Sequence, residues 1–252
     1  QMKIDTGIIL YPSTRALAYL DIFKKNKLFP KEIITMGDWP FINQDLIDED
    51  NKYNYSQKYF SLNSYIIDYI IENDIKHFHV SDVNINSKEL VNLLDSKRCK
   101  EYIFTGGGIL RSDVLSKNVK FIHVHPGNII NYRGSTCFYY SYLNQKLIEC
   151  TTFYMSQNID RGDVLNISRI NINLTINSDQ KLFIDYILDP TIRALSLQRF
   201  LRLNADKKIN QINTFENSDC YLIHPALRYL FYKKINENYN PKINSGIFID
   251  DK

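Results

Sequence analysis

The sequence has few cysteines, and none of them is arranged as a metal or disulfide motif. Four cysteines occur in 252 residues, with no Cys-x-x-Cys spacing, so neither a zinc ribbon nor a disulfide framework is indicated. We therefore expect free thiols in a reducing compartment. The four residues are Cys99, Cys137, Cys150 and Cys220.

A surplus of charge and a long hydrophobic run are also missing. The 31 basic and 28 acidic residues are interspersed and give a net charge of +3, which does not indicate a dedicated nucleic-acid binder. No stretch approaches the roughly 20 apolar residues that span a bilayer. The first ten residues, QMKIDTGIIL, lack the hydrophobic region of a signal peptide. We expect a cytoplasmic protein that has neither nucleic acid nor a membrane as a partner.

Short apolar runs alternate with segments whose apolar residues have helical spacing. DTGIILYPS and EIITM predict strands, and TRALAYLDIFKKN between them predicts a helix. The alternation continues through KHFHV, SKELVNLLDSK, EYIFT and VKFIHV, with Ser87 as a helix N-cap. Such alternation is typical of right-handed βαβ crossovers, and it predicts an α/β fold with a mostly parallel twisted sheet flanked by helices.

Five further segments also have a predicted structure. The polar and aromatic stretch 38–59 is predicted to be a loop. IECTTFYMS and VLNISRINI predict two strands, followed by a long helix over 178–203 that is interrupted at Asp189–Pro190. CYLIHPALRYLFYKKI predicts a C-terminal helix. We expect one α/β domain over residues 1–203 and a C-terminal extension over 204–252.

The stretch FIHVHPGNIINYRGST places His123 and His125 at the end of an apolar strand. In open parallel sheets, ligands bind at the carboxyl ends of strands. Residues two apart on a strand share a face, so both imidazoles can point into one pocket. Taken alone, the pair favours histidines that bond to backbone groups, because a histidine at a strand end more often does so than takes part in chemistry.

A carboxylate downstream adds to the case for chemistry at this strand end. Asp160 lies in MSQNIDRGDVLNISRI, between two predicted strands. A carboxylate there can orient His125 for proton transfer and for stabilising developing negative charge. The alternative is an ordinary turn formed by Asp160 with Gly162.

Three segments in this order resemble the formyltransferase family, which includes glycinamide ribonucleotide, methionyl-tRNA and sugar N-formyltransferases. They are FTGGGILRSDVLS, HVHPGNIINYRGST and NIDRGDVLNISRI, and the resemblance covers roughly residues 100–170. It implies a Rossmann-like formyltransferase fold and 10-formyltetrahydrofolate as the one-carbon donor.

The resemblance also implies a catalytic Asn-x-His and a distant aspartate. His125 takes the histidine position and Asp160 the aspartate position, but His123 stands where the family has asparagine. An imidazole can also donate a hydrogen bond to an oxyanion, so formyl transfer remains possible. The loop GNIINY departs as well, because the family often has a Ser-Leu-Leu-Pro-like sequence there.

The resemblance assigns further residues to ligand binding. We expect one set to contact the folate donor and a second set to contact the acceptor, with a tight turn, a helix N-cap and a surface ion pair as the structural alternatives. The donor set is Gly106, Gly107, Gly108, Ile109, Leu110 and Ile159, and the acceptor set is Ser13, Thr14 and Arg133. No metal is expected in this site.

The predicted activity is formyl transfer from 10-formyltetrahydrofolate to the amine of a small acceptor. A nucleotide-linked amino sugar of surface-polysaccharide biosynthesis is the leading acceptor, because the near-neutral chain lacks the basic C-terminal barrel of tRNA-formylating enzymes. A homodimer is a possible assembly. Two alternatives remain: a metal-dependent hydrolase using His123, His125 and Asp160, and a non-catalytic binding protein of the same fold.

Overall fold

The computed structural model describes residues 2–39, 43–63, 66–96, 99–157, 162–205 and 220–250. The chain forms two compact units. The first contains residues 1–123 and 154–159, and the second contains residues 124–153 and 160–252. The predicted boundary at residue 203 falls inside the second unit, and the two-domain division stays a prediction.

The strands of the first unit include the predicted parallel sheet. β1 and β3 form a parallel pair of their own, whereas the other strands form a parallel sheet in the order β7, β6, β2, β4, β5. Consecutive residues of β2 are all buried, which indicates that both faces of this sheet are covered. The strands are β1 (Met2–Ile4), β2 (Gly7–Leu10), β3 (Leu28–Pro30), β4 (Glu32–Met36), β5 (Lys76–Val80), β6 (Glu101–Phe104) and β7 (Lys120–His125).

The described helices of the first unit follow the predicted alternation. Ser13 caps the first of them and Ser87 the fifth, each through a side-chain oxygen that accepts a backbone N–H, so the predicted Ser87 cap is confirmed. The helices are α1 (Thr14–Lys25), α2 (Gln44–Tyr53), α3 (Tyr55–Lys58), α4 (Ile66–Glu72), α5 (Lys88–Asp95) and α6 (Ser112–Leu115).

The loop predicted over residues 38–59 is wrong, because α2 and α3 occupy most of it. Asn43 begins α2, and its Oδ1 accepts the Leu46 N–H at 3.0 Å. Leu46 is the buried anchor of α2, so no apolar stripe marks the helix in the sequence. Asn54 then adopts a left-handed conformation, which ends α2 and begins α3. Caps rather than hydrophobic periodicity set these helices.

Three of the cysteines behave as buried apolar residues. Cys99 and Cys150 are free thiols, as predicted, and both are buried, as is Cys137. Burial, followed by the neighbouring Glu32 carboxylate, raises the pKa of the Cys99 thiol to about 11. Burial also raises the pKa of Cys150. Both thiols therefore stay protonated at neutral pH.

The second unit contains an antiparallel sheet and longer helices. Its sheet has the order β9, β10, β12, and β8 pairs in parallel with β11. The C-terminal strand β12 has no counterpart in the predicted secondary structure. The strands are β8 (Arg133–Gly134), β9 (Ile148–Tyr154), β10 (Val164–Asn173), β11 (Cys220–Tyr221) and β12 (Gly246–Asp250), and the α-helices are α7 (Phe138–Gln145), α8 (Asp189–Ala205) and α9 (Pro225–Asn238).

The long helix is irregular next to its proline. A π-helical turn, Ile184–Leu188, directly precedes α8, and Pro190 is the second residue of that helix. Proline has no N–H to continue the helical bonds. The Thr191 hydroxyl donates to the Ile187 carbonyl at 2.6 Å. The chain stays helical across Asp189–Pro190, so the predicted interruption is a change of helix type before Asp189, and the predicted start at residue 178 is wrong because the helix begins at residue 183.

An aromatic cluster joins α7 to α9 within the second unit. The Phe231 ring of α9 is fully buried and lies 4.6 Å from the Tyr139 ring, 5.1 Å from the Tyr142 ring and 5.5 Å from the Phe138 ring, centroid to centroid. All three contacts have edge-on geometry, which aromatic pairs favour. The predicted C-terminal helix therefore exists and contributes to this core.

Candidate functional site

β7 carries both candidate histidines at its carboxyl end, and His123 bonds to the neighbouring strand β6. The His123 Nδ1 lies 3.2 Å from the Phe104 carbonyl oxygen, and the ring is half-buried. Because a carbonyl oxygen only accepts, Nδ1 must carry the proton of this bond. In the neutral imidazole, Nε2 then has the lone pair. His123 can therefore take up a proton at Nε2, and it can donate from Nε2 only as the imidazolium.

His125 is enclosed by the loop that follows it. Its side chain is 2% exposed, and the Gly127 N–H donates to the His125 carbonyl at 3.0 Å in a tight turn. A Cβ on Gly127 would lie 2.6 Å from the Cβ of Cys137 and 3.1 Å from the His125 Nε2. Gly127 thus leaves room for both neighbours. This crowding is a physical reason for glycine at residue 127, where the GNIINY loop begins.

A network of hydrogen bonds fixes the same loop. The Thr151 hydroxyl on β9 donates to the Gly127 carbonyl at 2.7 Å and accepts the Ile129 N–H at 3.2 Å. The Asn128 amide donates to a Glu149 carboxylate oxygen at 3.3 Å. Thr151 and Glu149 are both buried. Side chains of β9 therefore hold the first residues of the loop, directly after His125.

A buried ion pair on α8 holds the strand end before His125. The Arg193 Nε lies 2.9 Å from the Asp189 carboxylate, and both side chains are less than a tenth exposed. The Arg193 Nη1 donates to the Val124 carbonyl. Arg193 thus fixes the residue immediately before His125, a role that sequence reasoning missed. Its one sequence signal is the Asp-x-x-x-Arg spacing, which places both charges on one helix face.

Arg133 is an internal side chain rather than a surface arginine. It is 2% exposed, and its Nε donates to the Ile129 carbonyl at 3.1 Å. Its backbone belongs to β8, which is paired with β11. The predicted surface position of Arg133 is therefore wrong, while binding of the acceptor by Arg133 stays a prediction.

The glycine run is a bend in which Gly107 and Gly108 are exposed, with neighbouring side chains close to its backbone. Gly106, Gly107 and Gly108 have φ angles of 120°, 114° and 124°, which residues with a side chain rarely adopt. A Cβ on Gly107 would lie 2.3 Å from the Tyr11 ring. The Arg15 Nη1 donates to the Thr105 carbonyl at 3.0 Å. The chain bends at Gly107 and Gly108, and contact of the run with a folate donor stays a prediction.

Asn86 bonds to the backbone on both sides of Leu110, in the segment predicted to form the donor pocket. Its Nδ2 donates to the Ile109 carbonyl at 3.0 Å, and its Oδ1 accepts the Arg111 N–H at 2.7 Å. Ile109 is 61% exposed, whereas Leu110 is 4% exposed and belongs to the buried core of the first unit. Ile109 is therefore the more accessible of the two candidate donor contacts. No sequence motif predicted this role of Asn86.

The candidate acceptor residues near the N-terminus have structural bonds of their own. The Ser13 Oγ accepts the Ala16 N–H at 3.3 Å and donates to the Tyr11 carbonyl at 3.1 Å. Thr14 is 4% exposed. The helix-cap alternative is confirmed for Ser13, and a contact of either residue with an acceptor stays a prediction.

Two predicted residues lie outside the described part of the chain: Asp160, the proposed partner of His125, and Ile159, a proposed donor contact. Among the described residues, no group of three or more histidine, cysteine, aspartate or glutamate side chains could hold a metal ion. No helix in the described ranges is long and apolar enough to cross a bilayer.

No protein-family model and no curated protein matches the sequence. Solved structures match with low identity. A phosphoribosylglycinamide formyltransferase from Anaplasma phagocytophilum is 15% identical, with 86% of this chain and 97% of that chain covered and a TM-score of 0.53. A formyltetrahydrofolate deformylase from Pseudomonas syringae pv. tomato is 14% identical, with 85% and 64% covered and a TM-score of 0.52.

A third structure, glycinamide ribonucleotide transformylase 1 from Symbiobacterium toebii, is 13% identical, with 82% of this chain and 89% of that chain covered and a TM-score of 0.50. At such identities the shared property is the arrangement of helices and strands. The sequence resemblance around His125 and the fold of these solved structures point to the same fold. The chain has the Rossmann-like α/β fold of the formyltransferases.

Proposed function

We propose that this protein transfers a formyl group from 10-formyltetrahydrofolate to the amine of a small acceptor. The observation that carries the proposal is His125 at the carboxyl end of β7, held by Arg193 before it and by the Gly127 turn after it, in a chain with the formyltransferase fold. Ligands of open parallel sheets bind at this end of the strands. A preorganised imidazole there suits the stabilisation of a tetrahedral intermediate.

The proposed reaction begins when the acceptor amine attacks the formyl carbon. A C–N bond forms, the carbonyl π electrons move to oxygen, and the amine proton goes to Nε2 of neutral His123. The imidazolium then returns this proton to N10 of the donor as the C–N10 bond breaks, which leaves tetrahydrofolate and the N-formyl product. His123 acts first as a base and then as an acid, which asparagine cannot do.

His125 and Asp160 have supporting parts in this reaction. His125 stabilises the oxyanion, and the Asp160 carboxylate orients and polarises the His125 ring. Gly106–Gly108, Ile109, Leu110 and Ile159 are proposed to hold the pterin of the donor. Ser13, Thr14 and Arg133 are proposed to hold the acceptor.

The acceptor that we propose is a nucleotide-linked amino sugar. The net charge of +3 over 252 residues favours a small acceptor over a polyanion such as tRNA. Arg133 is proposed to bind the diphosphate through paired N–H groups, which requires this buried side chain to become accessible when the acceptor binds. Surface-polysaccharide biosynthesis is the proposed setting.

The test is incubation with 10-formyltetrahydrofolate and a panel of amines, with tetrahydrofolate release and product mass as readouts. The panel contains nucleotide-linked amino sugars and glycinamide ribonucleotide. We expect at least one formylated amino sugar, and a loss of at least 100-fold in His125→Ala. His224→Asn is the matched control, because His224 is an exposed helix cap that asparagine can replace.

Two results would contradict the proposal in different ways. Tetrahydrofolate release that is equally fast without any amine would make water the acceptor. Equal rates for the wild-type and His125→Ala proteins with every amine would remove His125 from the chemistry and with it the proposed mechanism.

A further inference from the structure

A second histidine pair lies at one end of the parallel sheet in the first unit. In that sheet β5 is the terminal strand and has β4 as its described neighbour. The Thr35 Oγ1 on β4 lies 2.8 Å from the His77 Nε2 and 3.2 Å from the His79 Nδ1, both on β5. Two imidazole nitrogens therefore converge on one oxygen atom.

The parallel register produces this convergence. Thr35 pairs with His79, and Ile33 pairs with His77. Because residues two apart on a strand share a face, both imidazoles lie on the face that carries Thr35. Thr35 is 3% exposed, His77 is half-buried and His79 is exposed. Both histidine side chains therefore have surface in contact with solvent.

The hydrogen bonds leave the two imidazoles chemically adaptable. A threonine hydroxyl has one proton, so it can donate to one nitrogen while it accepts from the N–H of the other. A shift of one imidazole tautomer gives both nitrogens a lone pair directed towards the same region. Two neutral imidazoles with converging lone pairs are ligands that divalent transition metals prefer.

We propose that His77 and His79 form a bidentate site for a divalent transition-metal ion. Water molecules would complete the coordination, because the described residues provide no third histidine, cysteine or carboxylate ligand. The expected order of affinity is Cu²⁺ above Ni²⁺ above Zn²⁺. Mg²⁺ and Ca²⁺ are not expected to bind, since they prefer oxygen ligands. The site does not depend on the proposed formyl transfer.

The other His-x-His pair of the chain, on β7, has a different geometry. The His123 Nδ1 bonds to the Phe104 carbonyl, and the His125 Nε2 faces Gly127 in a buried turn. These contacts engage the rings separately, whereas His77 and His79 meet at one hydroxyl. The His123–His125 pair therefore serves as a comparison for metal binding by His77 and His79.

The test is titration of the metal-stripped full-length protein with NiCl₂ and ZnCl₂, followed by calorimetry, and with CuCl₂, followed by electron paramagnetic resonance. We expect one ion per chain and nitrogen hyperfine structure for Cu²⁺. His77→Ala and His79→Ala should each weaken binding at least 10-fold, because each leaves a single imidazole. Circular dichroism shows whether these variants fold.

His123→Asn is the matched control and should bind metal like the wild type. Thr35→Val removes the hydroxyl that contacts both imidazoles but keeps the imidazoles themselves. Metal binding should therefore persist in this variant. Binding that survives in the double variant His77→Ala/His79→Ala, or that is lost in His123→Asn, would overturn the assignment. Absence of binding at millimolar metal would do so as well.

Discussion

Crowding around Gly127 is the residue-scale feature that most constrains the candidate site. A Cβ on Gly127 would lie too close to the side chains of both Cys137 and His125. Close packing leaves no free volume for an added methyl group, so one of the two neighbours must move. His125 is the neighbour whose position matters for the proposed chemistry.

We predict that Gly127→Ala lowers kcat for formyl transfer at least 10-fold, because the added methyl group displaces the His125 ring. Cys137→Gly removes the closer obstacle, the Cβ at 2.6 Å. The double variant Gly127→Ala/Cys137→Gly should therefore recover part of the lost activity, with both sets of rates measured under saturating donor. Additive losses in the double variant would contradict steric crowding as the cause.

The hydrogen bond of His123 predicts the effect of replacing this residue. The bond to the Phe104 carbonyl uses Nδ1–H, so the neutral ring offers Nε2 as a base. Because asparagine has no such base, His123→Asn should lower kcat/KM for formyl transfer at least 10-fold, measured by tetrahydrofolate release. Turnover equal to that of the wild-type protein would show that another group takes the amine proton.

Little of this residue-scale detail could be predicted from the sequence. The motif placed His123 and His125 at a strand end, since a strand followed by His-Pro-Gly is a local pattern. The contacts of Gly127 with Cys137, and of Arg193 with the Val124 carbonyl, join residues far apart in the chain. Local patterns contain no information about such contacts.

At the scale of elements, a buried carboxylate links two strands of the parallel sheet. Glu32 on β4 is 2% exposed, and the hydroxyl of the fully buried Tyr102 on β6 donates to it. We predict that Tyr102→Phe lowers the free energy of unfolding by about 1–3 kcal/mol, because Glu32 loses a hydrogen bond in a buried site. Urea denaturation measures the change.

Tyr154→Phe is the matched control for Tyr102→Phe. The Tyr154 hydroxyl also donates to a carboxylate, that of Glu101 at 2.6 Å, but both residues are only half-buried. Water can replace the lost bond there, so the change should stay below about 1 kcal/mol. Equal losses in the two variants would mean that burial of Glu32 does not set the effect.

The β4–β5 strand pair predicts how stability depends on pH. Burial, followed by repulsion from His79, lowers the pKa of His77 below its ordinary value. The unfolded chain then binds this proton more tightly, so the contribution is present above the ordinary histidine pKa of about 6.5 and is lost as pH falls through it. Urea midpoints at pH 8 and pH 5.5 should differ less in His77→Gln than in the wild-type protein. An unchanged difference would contradict the sign or the site.

Elements were predictable where their signal is local. Neighbouring residues were sufficient to predict the apolar strands β2, β4 and β6 and the Ser87 cap. α2 was missed because Asn43 and Asn54 define it and Leu46 is its buried anchor. β12 was missed because its place depends on pairing across the chain, with Ile170 opposite Ile249. The convergence of His77 and His79 on Thr35 likewise needs the register of two strands.

On the scale of the whole molecule, the fold was predictable in class but the division into compact units was not. Strand–helix alternation and the ordered motifs indicated a Rossmann-like sheet. The units separate instead within β7, between His123 and Val124. Such a division follows packing density along the folded chain, and residues that join one unit can be far apart in sequence.

The last residues of the chain are a necessary part of the second unit in this division. Phe231 of α9 is fully buried against three aromatic rings of α7, whereas Tyr229 on the same helix is 73% exposed. We predict that Phe231→Ala lowers the free energy of unfolding by about 3–5 kcal/mol. Tyr229→Ala should change it by less than about 0.5 kcal/mol, since it removes an exposed ring.

Thermal and urea denaturation of both variants check this prediction, and a shortened chain ending at residue 203 extends it. Without α9 and β12, the aromatic face of α7 and one side of β10 lose their partners. An exposed apolar face and an open strand edge favour aggregation. We therefore expect the shortened chain to aggregate, and a monomeric, cooperatively folding fragment would show that the segment after 203 is an appendage rather than part of the core.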